Sequence, residues 1–397
     1  MANDFSIQRG KTVIAWDQTT ATITAGTEYT APSGSDKAWI RIVSSRHSAS
    51  SEDTGTNNGY PAKTACLIQN PNNITTSITF ERNIAGTATV QTLHVWWEII
   101  EYIGDVGGAN EMKVLQASTA VLGNGTSTVS TSASSVAATD HNDCMTLITG
   151  AEADAGANGT WDRCLFASTK VNSGNTVWTS ITRSDNAAAA EVSYVIIEWS
   201  GSNWTTAAYN QALSSTDSED ITITDVGDTS RAFLFRENVT DSGNLDEQGT
   251  LAFFASTTAV TVERESAASA NQDTRVWVIV NSDTDASTRM TVGHYNGSRA
   301  NNAGTDGTDA WTESITTVAD TSNTSIVGEG NRSAGSGTGH PRGTIGFYLA
   351  DTSTVDLRRG ERGQTQTYRF SVVEWPTSAD PVVEDVVSNS IGFAFAL

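Results

Sequence analysis

Five histidines, His47, His94, His141, His294 and His340, are the residues best suited to moving protons near neutral pH, and Cys66, Cys144 and Cys164 are the only thiols. The histidines do not cluster along the chain. None stands in an HExxH pair and no GxSxG elbow accompanies them, so zinc-assisted or serine-based hydrolysis has no local support. A GxxxxGK[ST] loop and a dinucleotide fingerprint after a strand are also missing, which disfavours nucleotide chemistry. The cysteines are odd in number and none has a CxxC or Cys/His spacing suited to zinc, so neither a disulfide framework nor a structural metal is expected. Two acids about 5 to 10 Å apart, as glycoside hydrolysis needs, can come from distant positions, so a polysaccharide-degrading enzyme stays open as a lesser alternative. Acid-rich stretches at Asn281 to Asp285 and Asp241 to Glu247 could hold Ca²⁺ through clustered oxygens. Neither fits the EF-hand loop, and the expectation is solvated loops, no cofactor and no enzyme.

Aromatic residues offer a second kind of chemistry, because Trp and Tyr rings form platforms for sugars in many β modules. Trp97, Trp199, Trp277 and Trp375 lie in or at the end of recurring strands, where packing explains them. Trp16, Trp161 and Trp311 lie outside those strands and are the candidates for ligand or interface contact.

The elements that carry these residues recur. An apolar strand ending in an aromatic residue reads VWWEIIEY from Val95 to Tyr102, SYVIIEW from Ser193 to Trp199, RVWVIVN from Arg275 to Asn281 and RFSVVEW from Arg369 to Trp375. Copies one, two and four end in Glu followed by an aromatic: Glu101-Tyr102, Glu198-Trp199 and Glu374-Trp375. The third copy has Val280-Asn281 there. One strand upstream each copy carries an arginine, Arg82, Arg183, Arg264 and Arg359, as expected for adjacent strands joined by a hairpin. An Arg to Glu pair across the sheet end is the structural expectation in copies one, two and four. Cys66 and Cys164 fall at equivalent strand positions and read as small buried hydrophobes.

Each copy offers about six short strands separated by Gly, Asn, Asp, Ser and Thr clusters, which is the pattern of an antiparallel sandwich module. The expected fold is all-β, with four tandem sandwich-like units at 1–117, 118–213, 214–299 and 300–397. Trp204 to Tyr209 and Met290 to Tyr295, with Met112 to Leu115 a weaker match, read as the strand that closes each unit. The last residues, from Ile391, alternate large and small as a final strand would. Because Tyr194 and Ile196 occupy one face and Val195, Ile197 and Trp199 the other, the aromatic strand should sit in the middle of its sheet, buried on both sides.

The chain has 397 residues and a formal net charge of −22. Such a balance argues against a nucleic-acid partner, since neutralising phosphates needs clustered cations. No apolar run is long enough to cross a membrane as a helix, and the first residues do not read as a secretory signal. The surface must be built from Thr, Ser, Asn and Gly, neutral hydrogen-bonding groups of low side-chain entropy that suit repeated lateral contacts.

Thr-, Ser- and Ala-rich, Lys-poor β units ending in a V-V/I-E-W/Y strand, preceded by a strand ending in Arg, resemble virion structural proteins of tailed bacteriophages. The resemblance covers all four copies. It implies a capsid decoration, tail or fibre role, synthesis in the host cytoplasm without a signal peptide, release by lysis, and location in the virion. Implied partners are other virion or assembly proteins and further copies of the same chain in a homo-oligomer. The alternative is a tail-fibre-like or cell-surface adhesin that grips a host glycan.

Overall fold

The computed structural model describes residues 2–47, 65–83, 92–153, 171, 176–183, 189–214, 216–240, 249–264, 272–300, 310–334, 345–359 and 365–378. The fold is all-β. Helical geometry among the described residues is limited to single 3₁₀ turns such as His141–Asp143, Thr229–Arg231 and Thr321–Asn323. No helix among them is long and apolar enough to cross a membrane.

One strand order recurs along the chain. The aromatic strand lies between the first strand of its copy and the strand after the second loop: Leu93–Tyr102 between Phe5–Ile14 and Ala38–His47, and Ala190–Glu198 between Lys113–Leu122 and Cys144–Ala153. Likewise Gln272–Asn281 lies between Trp204–Leu213 and Ala232–Thr240, and Thr365–Glu374 between Thr291–Arg299 and Thr324–Ala334. Every pairing is antiparallel. The expected central position of the aromatic strand therefore holds. A second sheet stacks on each of these, as in Thr20–Thr24, Ser77–Glu81 and Leu67–Ile68 of copy one.

The strand expected to close each unit opens the next one instead. Trp204–Leu213 pairs along its whole length with Gln272–Asn281, Thr291–Arg299 with Thr365–Glu374, and Lys113–Leu122 with Ala190–Glu198. Residues 117, 213 and 299 thus fall inside or at the end of strands that pair forward. Similarity between strands gave their equivalence but not their partner, because two antiparallel neighbours on either side satisfy the same apolar pattern. The final strand expected from Ile391 lies outside the described residues.

Period-two alternation divides the aromatic strand between two cores. Val192, Tyr194 and Ile196 pack inside their own sandwich, while Val195, Ile197 and Trp199 point the other way. The second face of every copy meets in one shared core, which joins Phe5 and Tyr102 of copy one, Met145 and Trp199 of copy two, Trp204 and Phe233 of copy three, and Val373 and Trp375 of copy four. Trp375 stacks on Phe5 at 4.7 Å and on Trp199 at 6.0 Å, and meets Phe233 edge-on at 5.4 Å.

Around this core the copies close into a ring, because the first strand of each leans on the turn before the third strand of the copy preceding it. Val114 N–H donates to Asp36 O at 2.7 Å, Thr206 Oγ1 to Asn142 O at 2.8 Å, and His294 Nε2 meets Thr229 O at 2.9 Å. Copy one leans on copy four in the same way, with Arg9 Nη1 donating to Thr321 O at 2.8 Å. Ala2–Asn3 pairs with Thr377–Ser378 and seals that last seam.

Candidate functional site

The repeated motif residues occupy opposite ends of the sandwich. Arg82 is fully buried, its Nε donating to Gln18 O at 3.0 Å and its Nη2 to Ala15 O at 2.8 Å and Trp16 O at 2.9 Å. Arg183 repeats this on Leu122, Gly123 and Thr126 carbonyls, and Arg264 Nε donates to Thr216 O at 3.0 Å. All three hold the turn that follows the first strand. Burial pulls the Arg82 pKa down, and its array of carbonyl acceptors offsets the desolvation of the cation. The Arg359 side chain lies outside what is described; its backbone pairs with Ile345.

The glutamates serve the far end, roughly 25 Å away at about 3.3 Å per strand residue. Glu101 Oε1 accepts from Ser33 N–H at 2.7 Å, Glu198 Oε1 from Thr139 and Asp140 N–H at 2.5 and 2.9 Å, and Glu374 Oε1 from Ala319 N–H at 2.9 Å. Each carboxylate ties the last strand to the loop before the third strand. The expected Arg to Glu pair therefore does not form in copies one and two, and the strands expected to be hairpin neighbours belong to different sheets: Ser77–Glu81 pairs with Thr20–Thr24 and Leu67–Ile68, while Leu93–Tyr102 pairs with Phe5–Ile14 and Ala38–His47, so Arg and Glu lie on opposite sheets as well as at opposite ends.

The tryptophan candidates do not gather. Trp16 sits half-buried in the turn held by Arg82. Trp311 lies on Ala310–Ser314, turned into copy four, where its Nε1 donates to Tyr368 Oη at 3.1 Å and the Arg299 guanidinium covers its ring at 4.8 Å. With its nitrogen engaged and Arg299 over its ring, Trp311 is half-buried and is not a freely presented platform. Trp161 lies outside the described residues, as do Cys164, Asp241 to Glu247 and the side chains of His47 and His340.

The acids near Asn281 turn on their own backbone. Asn281 Oδ1 accepts from Asp283 N–H, Asp283 Oδ1 from Asp285 N–H, and Asp285 Oδ1 from Ser287 N–H, a succession of Asx turns. No group of three His, Cys, Asp or Glu gathers among the described residues. Cys66 and Cys144 are buried, and desolvation pushes the Cys144 thiol up to about 12, far from a reactive thiolate.

Two cavities of appreciable volume lie among the described residues. One, of about 100 Å³, lies at the seam of copies three and four beside His294, whose Nδ1 stands 2.8 Å from Ser371 Oγ. Thr229 O can only accept, so Nε2 carries the proton and Nδ1 accepts from the Ser371 hydroxyl. Desolvation of the ring nitrogens at the seam lowers the His294 pKa, although the residue keeps an exposed edge. With its far nitrogen engaged by a carbonyl of the preceding copy, the pair is a strut across the seam.

The second cavity, of about 350 Å³, opens at the glutamate end of copy three. Val280 stands there in place of the glutamate, and Gly227 N–H, the equivalent of Ala319 N–H, is served instead by Asp225 Oδ1 at 2.9 Å. The acceptor has moved from the strand into the loop. Gly227 adopts φ +70, a conformation that side chains rarely take, which lets the loop fold back on Asp225. Both ends of the missing tie, Val280 and Gly227, line the opening. The sequence flagged the change in the third copy, but not that the same N–H would find a local acceptor.

Compared with known protein families and with curated proteins, the chain matches none.

Proposed function

We propose that the protein is a non-enzymatic structural component of a virion, of capsid-decoration, tail or fibre type, which attaches to or builds a larger symmetric assembly. The observation that carries this reading is the use of the repeated residues: the described arginines hold turns, the glutamates hold loops, and the aromatic strands fill one core common to all copies. Repetition is thereby directed at cohesion. The outer sheets add a surface suited to lateral contact, with hydroxyls paired across strands, Thr22 to Thr79 at 3.0 Å and Thr128 to Thr182 at 3.4 Å. Such short side chains lose little entropy on docking and present neutral donors and acceptors. Copies placed in a ring offer related contacts in several directions, and this multivalency raises the strength of attachment without any one strong contact.

The test has two parts. Light scattering on the purified chain should report a homo-oligomer, and mass spectrometry of virus particles from the source should find the chain at a fixed stoichiometry. A strictly monomeric chain absent from such particles contradicts the proposal.

A further inference from the structure

We propose that the open mouth of copy three is a binding site for a single neutral pyranose sugar, held with its apolar face against the sheet and its hydroxyls toward the loop. The floor is set by register. Val280 pairs with Thr205 and Val278 with Ala207, so these side chains lie together on one face of the sheet, and Tyr209 follows two residues on. Valine and alanine methyls beside a tyrosine ring suit the C–H face of a sugar ring.

The rim is polar, and its cation already has a carboxylate partner, Arg231 Nε standing 3.7 Å from Asp228 Oδ2. Asp225 uses one oxygen on Gly227 N–H and presents an exposed carboxylate at the opening. That bond and the Thr257 hydroxyl lower its pKa and keep it an acceptor at neutral pH. Arg231 stands opposite, its Nη1 engaged by Ser282 and Asp283 carbonyls at 3.2 and 3.1 Å. A cation committed to carbonyls and to Asp228, beside the exposed Asp225 carboxylate, favours a neutral polyhydroxyl ligand over an anion. The volume of about 350 Å³ lies in the lower part of the range for small-molecule sites, about 300 to 1,000 Å³.

Comparison with the other copies locates the cause in two residues. Where the glutamate is present it spans from strand to loop across this position, as Glu374 does to Ala319. Transplanting the copy-four residues, Asp225→Thr with Val280→Glu, should therefore close the mouth while supplying a tie that the fold already uses.

The test is titration of the full chain, by calorimetry and ligand-observed NMR, with glucose, galactose, mannose and N-acetylglucosamine and with both methyl anomers of each, up to about 50 mM. Saturable binding of at least one is expected, with at least about a tenfold loss in the D225T/V280E double variant at unchanged melting temperature. Ala207→Phe, which fills the floor without touching the loop, is the second variant and should give the same loss if the double variant does not fold. Binding of methyl glycosides identifies the terminal residue of a glycan; binding confined to the free sugars identifies a free monosaccharide. No saturable binding by any of them, or binding unmoved by both variants, overturns the proposal. Neither result depends on whether the chain assembles.

Discussion

Copies three and four share one strand order and differ at the same end of the sandwich. In copy four the last strand ends in Glu374-Trp375, the carboxylate reaching Ala319 N–H and the indole entering the shared core. In copy three the same two places hold Val280 and Asn281. The missing carboxylate is replaced by Asp225 in the loop, and the missing indole by Trp204 on the first strand, which pairs directly with Asn281. The third strand also differs, shifting register between Val327 and Gly330 in copy four and pairing without a shift in copy three. The fold thus requires an acceptor for one loop N–H and an aromatic ring at one corner of the core, and either neighbouring segment can supply them. Where the acceptor became local, the mouth opened.

The largest expected effect is on the corner of the core. Trp375→Ala and Trp204→Ala should each cost about 3–5 kcal/mol, measured by denaturant unfolding, because both rings are buried among aromatics from other copies. Equal costs would support the exchange of position; a negligible cost for Trp204→Ala would break it. Next comes the turn: Arg183→Met should cost about 3 kcal/mol by removing the cation that bridges three carbonyls, of which Gly123 O keeps Thr126 N–H. Glu374→Ala should cost about 1.5 kcal/mol, the low end for a hydrogen bond to a charged group, whereas the corresponding Val280→Ala should leave the loop bond intact.

Smaller effects follow pH. Asp140, Asp228 and Asp320 each accept from the N–H two residues on at the start of equivalent 3₁₀ turns; the Ser230 and Ser322 hydroxyls together with that N–H for Asp228 and Asp320, and the Asn142 N–H for Asp140, hold their pKa values below the usual carboxylate range. Their contribution is full above about pH 4 and is lost as pH falls through the lower folded values, so Asp320→Asn should flatten the acid limb of stability. The His294 pKa is lowered by desolvation of its nitrogens at the seam, so its contribution is full above about pH 6.5 and declines as pH falls from there toward the folded value. His294→Gln should remove that slope, read as melting temperature against pH.

Much of this was legible in the sequence because the signals are periodic. The apolar residues on both faces of Ser193 to Trp199 state that the strand is buried twice, and the structure supplies the two cores. The recurrence of Arg and Glu on successive strands of each copy marked both as structural. The hairpin itself was not there: the chain crosses from the second sheet to the first between the two residues, and succession in sequence does not tell a hairpin from such a crossover. Trp311 looked available since it lies outside the recurring strand, yet the alternation of Trp311 and Glu313 with Thr312 and Ser314 turns it inward. The ring itself left no local sequence signal, for its contacts join strands of one copy to carbonyls of another.

The most direct test of the shared core is scanning calorimetry of the intact chain, comparing the calorimetric with the van't Hoff enthalpy. With Trp375 packed against rings of copies one, two and three, the chain should unfold in one transition with the two enthalpies equal. Separate transitions, as independent sandwiches would give, contradict it.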